Sequence, residues 1–137
     1  MKKYVTDASF ILKSLLEKKT TVLIKFRTVF KMESEGKIKV MAPRFLITEV
    51  ANAIRYSTKD EKEAIMTFED FLKLPINFID ITNLDYKKVI ELSYAQNTTV
   101  YDTSYHVLAK AMNATFLTCD RDYHKKAKKL GDIELII

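Results

Sequence analysis

Apolar residues recur along the chain with two different periods. Short runs rich in β-branched and aromatic residues predict strands, and longer stretches with apolar residues three or four positions apart predict helices. The strands are predicted at residues 3–6, 39–42, 77–81, 115–118 and 133–137. Helices are predicted near residues 7–16, 22–35, 60–73, 84–95, 102–112 and 122–130, and another is predicted to begin at Pro43 and to carry Leu46, Val50, Ala53 and Ile54 on one side.

Strands that alternate with helices are typical of an α/β fold, because parallel strands need long crossover connections. We therefore predict a three-layer α/β/α architecture around a central, mainly parallel sheet of four to five strands. No repeat, low-complexity segment or shift in composition divides the chain, so residues 1–137 are predicted to form a single domain. In such sheets, ligands bind beyond the carboxyl ends of the strands.

Carboxylates follow the predicted strands at this edge of the sheet. Asp7 comes directly after the first strand, and Asp120 closely follows the strand at 115–118. Asp102 opens a predicted helix, and Glu49 lies beside the apolar side of another. We therefore expect four carboxylates from distant parts of the chain to converge at one end of the sheet.

A cluster of this kind has two possible uses. Carboxylates that lie close together raise one another's pKa values unless a cation neutralises them, and oxygen ligands favour Mg²⁺ or Mn²⁺. One or two such ions can bind a phosphodiester and activate a water molecule. Alternatively, Asp7, Asp102 and Asp120 cap helices or complement their dipoles, and Glu49 is a surface charge. The spacing of the residues alone leaves both interpretations open.

Composition limits the classes of protein and of functional site to which the chain can belong. The net charge of +5 favours an anionic partner such as nucleic acid. The single cysteine, Cys119, excludes an internal disulfide framework and a thiolate-rich metal site. The chain has no glycine-rich phosphate loop, and its apolar runs are too short to span a bilayer. We expect a soluble, cytoplasmic protein without a membrane partner.

Four short motifs resemble those of one known family. The sequence YVTDAS at residues 4–9 resembles the first strand and Asp-x-Ser turn of the PIN-domain ribonucleases. EVANAIR at 49–55 is similar to their Glu-x-x-Asn helix, and YDTSYHVLA at 101–109 to their Tyr-Asp-x-x-Tyr-x-x-Leu-Ala segment. TCDRD at 118–122 resembles the Thr-x-Asp that closes their site. The motifs occur in family order, and the resemblance is greatest to the small VapC-type toxins of toxin–antitoxin pairs.

The resemblance implies a PIN-like fold and a Mg²⁺- or Mn²⁺-dependent endoribonuclease, in which a metal-activated water hydrolyses RNA phosphodiesters. The implied catalytic and metal-binding acids are Asp7, Glu49, Asp102 and Asp120, with Asp7 and Asp102 as direct ligands and the other two acting directly or through water. The implied supporting residues are Ser9, Asn52, Thr118 and Asp122; two roles stay open for Asp122, which either replaces Asp120 or adds to it. A cognate antitoxin and a homodimer are implied as partners.

Several other residues have two interpretations each. Basic residues near the motifs either bind RNA phosphates or form an ordinary solvated surface; they are Arg44, Arg55, Arg121, Lys125 and Lys126. Tyr101 and Tyr105 share a helical stripe that is core or dimer interface, or else a platform for stacking bases. The apolar face of the helix near 22–32 is core, a groove for the antitoxin or a dimer surface; it carries Val22, Phe26, Val29 and Phe30.

Two alternative functions remain open at this point. The first is a PIN nuclease that matures RNA without an antitoxin. The second is a doubly wound binding or signalling module that uses its acids only as helix caps. Metal ions would change the behaviour of a nuclease and leave the binding module unchanged.

Overall fold

A computed structural model describes all of residues 1–137. Five strands form one parallel sheet; they are β1 (Lys2–Thr6), β2 (Ile38–Pro43), β3 (Asn77–Ile79), β4 (Thr115–Thr118) and β5 (Ile133–Leu135). The helices are α1 (Ala8–Leu12), α2 (Thr20–Ser34), α3 (Leu46–Ser57), α4 (Glu61–Leu72), α5 (Tyr86–Gln96), α6 (Val100–Ala111) and α7 (Arg121–Ala127). A π-helical turn (Lys13–Glu17) continues α1, and a 3₁₀ turn (Lys128–Leu130) continues α7. The predicted three-layer α/β/α fold is confirmed.

The chain begins at the centre of the sheet and extends it in two directions. β1 pairs with β2, which pairs with β3; the chain then returns to add β4 and β5 on the other side of β1. The strand order therefore reverses between β1 and β4, which is where open α/β sheets bind ligands. The register pairs Thr6 with Leu117, so the next residues along, Asp7 and Thr118, are also neighbours.

The core covers both faces of the central strands. Tyr4, Val5 and Thr6 are all buried, and consecutive strand residues point to opposite faces of a sheet. α2 contributes its entire apolar face to this core, where the Phe26 ring lies 5.8 Å from that of Phe10. The α2 residues considered for an antitoxin groove, Val22, Phe26, Val29 and Phe30, are thus core residues.

Pro43 was predicted in the first turn of α3, and this prediction is wrong. Pro43 is the last residue of β2 and pairs with Ile79 of β3. Its missing N–H is tolerated because the ladder to β1 ends at Met41, and the N–H of Arg44 donates to the Ile79 carbonyl at 3.3 Å. α3 begins at Leu46 instead.

Other element boundaries also differ from the prediction. α6 begins at Val100 because Thr99 caps it: the Thr99 hydroxyl accepts the N–H of Asp102 at 3.0 Å. Asp102 therefore lies in the first turn of the helix and does not open it. The edge strands β3 and β5 are shorter than predicted, ending at Ile79 and Leu135. None of the helices has the length and apolar character needed to span a membrane.

Candidate active site

Asp7 lies at the carboxyl end of β1, where it caps the N-terminus of α1. Its side chain is only 5% exposed, and its Oδ1 accepts the N–H of Phe10 at 3.1 Å. The Ser9 hydroxyl donates to the same oxygen at 2.6 Å, and the Thr118 hydroxyl donates to Oδ2 at 2.5 Å. Both carboxylate oxygens are therefore fixed, one by the turn after β1 and the other by the end of β4.

The number of hydroxyl protons determines which group donates and which accepts in each hydrogen bond around Asp7. Each hydroxyl has one proton, and the Ser9 and Thr118 protons both point to Asp7. The two hydroxyls then act as acceptors for backbone N–H groups: Ser9 accepts from Cys119 at 2.8 Å, and Thr118 accepts from Asp120 at 3.0 Å. The 3.2 Å approach between the two hydroxyl oxygens is a contact without a shared proton. The network therefore presents the carboxylate of Asp7 in one orientation.

Burial raises the pKa of Asp7 to about 6, because the ionised form loses its hydration. The hydrogen bonds from Ser9, Thr118 and Phe10 oppose this shift, and the nearby negative charge of Asp102 adds to it. The hydrogen bonds to Asp7 therefore offset only part of the free-energy cost of ionising this buried carboxyl group.

Glu49 is brought to the site by the first turn of α3. The Tyr105 hydroxyl, one turn beyond Asp102 on α6, donates to Glu49 Oε1 at 2.6 Å. Burial raises the pKa of Glu49, the hydrogen bond from Tyr105 lowers it, and the charge of Asp102 raises it. The pKa of Tyr105 is also raised, first by burial and then by its bond to Glu49, so the phenol stays protonated as a donor.

Asp102 and Asp120 lie at the N-terminal ends of α6 and α7. Asp120 caps α7 by accepting the N–H of Tyr123 at 3.0 Å. The pKa of Asp102 is raised by burial and by the charges of Asp120 and Asp122. Asp102 also raises the pKa values of Asp7 and Glu49. Among the four predicted acids, Asp102 is therefore the one that interacts electrostatically with all the others.

The cluster is negatively charged without a cationic partner. None of the four acids, Asp7, Glu49, Asp102 and Asp120, forms an ion pair with a lysine or arginine, although the chain carries a net charge of +5. A pocket of about 250 Å³ opens beside it; its lining includes Asn97, Thr98, Thr99, Asp102, Asp120, Asp122, Tyr123 and Lys126.

The donor set fits a hard divalent cation, since it consists of carboxylate oxygens that lack a counter-ion. However, no group of three or more acidic, histidine or cysteine side chains is arranged so that it could hold a metal ion by itself. A cation bound here would therefore need water among its ligands, which is one of the two roles expected for Glu49 and Asp120.

Not every predicted supporting residue reaches the cluster. Ser9 and Thr118 do so through Asp7. The expected support from Asn52 is absent: its side chain is exposed on α3 and forms no hydrogen bond. Asp122 lines the pocket but is exposed and paired with Lys126 at 3.1 Å.

The five basic candidates are distributed over different surfaces. Lys126 lines the acidic pocket and also donates to the Asn97 carbonyl at 3.1 Å. Arg121 and Lys125 are exposed on the same helix, α7. Arg44 is exposed just before α3 and acts on the pKa of Asp80, whereas Arg55 lines a separate cleft between α3 and α4.

Two contributions to the site were not found by sequence reasoning. The bond from Tyr105 to Glu49 does not follow from the sequence, because neither the helical stripe nor the motif that contains Tyr105 indicates where its hydroxyl points. His106 and Tyr123 form a buried pair behind the site: His106 Nε2 donates to the Gly131 carbonyl at 2.7 Å, so the Tyr123 hydroxyl donates to Nδ1 at 2.9 Å. Burial lowers the pKa of His106 and raises that of Cys119 to about 12, so neither acts as an exposed base or nucleophile.

Comparison with known proteins identifies one family. The model of the PIN domain matches residues 4–129. No curated protein is similar enough in sequence to count as a match.

Several solved structures share the fold. The structure of VapBC2 from Rickettsia felis, bound to a DNA fragment from its promoter, matches with a TM-score of 0.72 at 13% identity, over 98% of this chain and 99% of that one. VapC20 of Mycobacterium tuberculosis, a toxin that cleaves the sarcin–ricin loop, matches with a TM-score of 0.66 at 11% identity, over 98% and 99%. VapBC-1 of nontypeable Haemophilus influenzae has a TM-score of 0.66 at 12% identity, over 97% and 96%.

Proposed function

The chain belongs to the PIN-domain family, and from that premise we propose that it is a divalent-metal-dependent endoribonuclease and the toxin of a toxin–antitoxin pair. The observation that carries the nuclease proposal is the convergence of Asp7, Glu49, Asp102 and Asp120 without a counter-ion at the switch in strand order. The nuclease proposal is also supported by the fold shared with a toxin that cleaves the sarcin–ricin loop.

The four acids would bind Mg²⁺ or Mn²⁺, with Asp7 and Asp102 as direct ligands and Glu49 and Asp120 acting directly or through water. A cation bound there would polarise the phosphodiester and favour ionisation of the attacking water. Ser9 and Thr118 orient Asp7, and the Tyr105 hydroxyl orients Glu49.

The chain supplies positive charge beside the acids as well. Lys126 lines the same pocket as Asp102 and Asp120, and Arg121 and Lys125 lie on the same helix. Such side chains bind phosphates without reading sequence, so they would position the RNA backbone. Recognition of a particular RNA must then come from contacts with bases.

The test is cleavage of a single-stranded and a structured RNA in Mg²⁺, in Mn²⁺ and in chelator. We expect metal-dependent internal cutting by the unmodified protein and its loss in Asp7→Asn. Asn caps a helix about as well as Asp, so the substitution removes charge and keeps the cap. Asp60→Asn is the matched control, because Asp60 caps α4 through the N–H of Lys62 but lies outside the cluster.

The control separates the nuclease from the binding module. If the acids serve only as caps, metal changes nothing and the two Asn variants behave alike. Cutting that persists in Asp7→Asn would contradict the proposed site.

The antitoxin requires an accessible apolar surface. A cleft of about 710 Å³ lies between α3 and α4; its lining includes Ala51, Ile54, Arg55, Thr58, Lys59, Glu61, Ala64, Ile65, Phe68 and Glu69. We propose that a helix of the antitoxin packs there, which is consistent with the VapBC complexes that share the fold. A homodimer is part of the same proposal.

Ile65→Glu tests the antitoxin proposal, because Ile65 is exposed within the cleft. We expect the variant to cleave RNA normally and to escape inhibition by the product of a small adjacent reading frame. Absence of any such inhibitor, together with retained cutting, would favour a nuclease that matures RNA without an antitoxin.

A further inference from the structure

The aromatic stripe of α6 is divided between the core and the surface. Tyr105 is 1% exposed and Leu108 is buried, whereas Tyr101 is 60% exposed, one turn before Tyr105. We propose that Tyr101 is a substrate-contacting residue, on which an unpaired base of the bound RNA stacks beside the acidic site. This proposal rests on the nuclease function proposed above, and it names the feature of the RNA that the site would recognise.

The ring of Tyr101 is held in place from the core outward. It contacts the ring of Phe45 edge-to-face at 5.4 Å, and Phe45 contacts Tyr105 in the same way at 5.1 Å. Tyr105 in turn stacks on Phe116 of β4 at 5.9 Å with an angle of 8° between the planes. This row of rings anchors an exposed side chain, so little freedom would be lost when a base stacks on it.

The other exposed tyrosines are not supported in this way. Tyr86 and Tyr94 of α5 contact no other ring, and Tyr56 of α3 contacts only the guanidinium of Arg55. Tyr101 is 60% exposed, and Phe45, whose ring lies at 78° to it, covers at most one of its two faces. The ring of Tyr101 is therefore held by its neighbours and is still accessible to a stacking base.

Tyr101 is linked to the acidic cluster in two ways, along the chain and through the row of packed rings. It directly precedes Asp102 in the first turn of α6, so the Cα atoms of the two residues are about 3.8 Å apart. Tyr105, two rings away in the same row, is the residue that holds Glu49. A base stacked on Tyr101 would therefore belong to a nucleotide close to the phosphate at the acids.

The charge around the ring suits a nucleic acid. Arg44 is exposed and directly precedes Phe45 in the chain, and Lys126 lines the pocket that Asp102 also lines. Stacking with a nearby phosphate contact is the usual means by which proteins bind single strands, because every base has a π face. A base in a duplex has no free face, so Tyr101 would select loops and single strands.

The experiment measures binding of short single-stranded RNAs that carry 2-aminopurine at successive positions. It uses the Asp7→Asn protein with Mg²⁺, so that binding is observed without cutting. Tyr101→Leu in this background keeps apolar bulk against Phe45 and removes the π face. We expect one 2-aminopurine position to be quenched strongly, and we expect that quenching to be lost in Tyr101→Leu while the dissociation constant rises about 5- to 100-fold.

Two variants make the result specific. Tyr101→Phe keeps the ring and should restore both the quenching and the affinity. Tyr86→Leu is the matched control, because Tyr86 also lies exposed in the first turn of its helix and contacts no other ring. It should leave quenching and affinity unchanged.

An abasic nucleotide at the quenched position completes a double-mutant cycle. If Tyr101 stacks on that base, removing the base and the ring together should weaken binding no more than removing either one alone. The stacking proposal would be overturned if quenching were equal with and without Tyr101→Leu in the Asp7→Asn background. If the unmodified protein still cleaves RNA in that case, the nuclease proposal stands. An unmodified protein that neither binds nor cuts RNA would overturn both.

Discussion

Asp7 is held by hydroxyl groups that come from opposite ends of the chain. Ser9 is its near neighbour, but Thr118 is separated from it by 111 residues. The sequence allowed both to be named as supporting residues through the family resemblance. It could not show the direction of the protons, because this depends on the register between β1 and β4 and on the N–H groups of Cys119 and Asp120.

Removing either hydroxyl should weaken metal binding. In Ser9→Ala or Thr118→Val, Asp7 loses a donor that orients it and lowers its pKa, so protons compete better with the cation. We expect the affinity for Mn²⁺ to fall about 10- to 100-fold, the usual effect of losing a hydrogen bond to a ligand. Calorimetric titration measures it.

Thr28→Ala provides the control for this loss, because the Thr28 hydroxyl binds only a carbonyl of its own helix at 2.9 Å. Unchanged Mn²⁺ affinity in both site variants would mean that Asp7 does not bind the metal.

Asp7 should also make the protein less stable as the pH rises. The pKa of Asp7 is about 6 in the folded protein and 3.8 in the reference state, so the folded form binds the extra proton between these values. Stability from this group is therefore present at low pH and is lost as the pH rises through 6. At neutral pH the cost is up to about 3 kcal/mol.

Asp7→Asn removes this pH-dependent cost and keeps the cap, but its amide nitrogen no longer accepts the Thr118 hydroxyl. In chelator, the free energy of unfolding of the unmodified protein should therefore fall relative to that of the variant between pH 4 and pH 7.5, because the loss of the Thr118 bond does not depend on pH. Denaturant titrations at the two pH values measure it. A difference that does not vary with pH would contradict the burial argument.

At the scale of elements, periodicity was sufficient for the order of strands and helices but not for their ends. Pro43 was placed in a helix because its sequence signal is the same at a helix start and at a strand end; only the end of the β1 ladder at Met41 separates the two. The start of α6 was misplaced because Thr99 was not recognised as its cap. The apolar face of α2 could not be assigned from the sequence, since core and groove use the same residues.

The first turn of α7 contains two acids with different roles. Both raise the pKa of Asp102, but Asp120 also caps the helix, whereas Asp122 is exposed and paired with Lys126. Asp120→Asn keeps the cap and removes the charge, so we expect RNA cleavage to fall at least tenfold with little change in melting temperature. Asp122→Asn should retain most activity, because an exposed ion pair contributes little.

Rates of RNA cleavage by the two variants show whether Asp120 or Asp122 belongs to the catalytic site. A larger loss in Asp122→Asn than in Asp120→Asn would assign the site to Asp122.

At the scale of the whole molecule, the sheet topology assembles the site. The acids converge because β1 and β4 are adjacent at the point where the strand order reverses, with α3 and α6 bringing Glu49 and Asp102. The sequence predicted the α/β class and this edge of the sheet, but not the order of the strands. Structures at 11–13% identity share the fold, so pairing and burial preserve it where most side chains differ.

The central claim is that these acids form one metal centre around Asp102. The most direct test is an anomalous difference map from crystals grown with Mn²⁺. We expect a peak between Asp7 and Asp102, close to Glu49 and Asp120, and its loss in crystals of Asp102→Asn. A map without a peak at these residues, or with Mn²⁺ bound only elsewhere, would contradict the account.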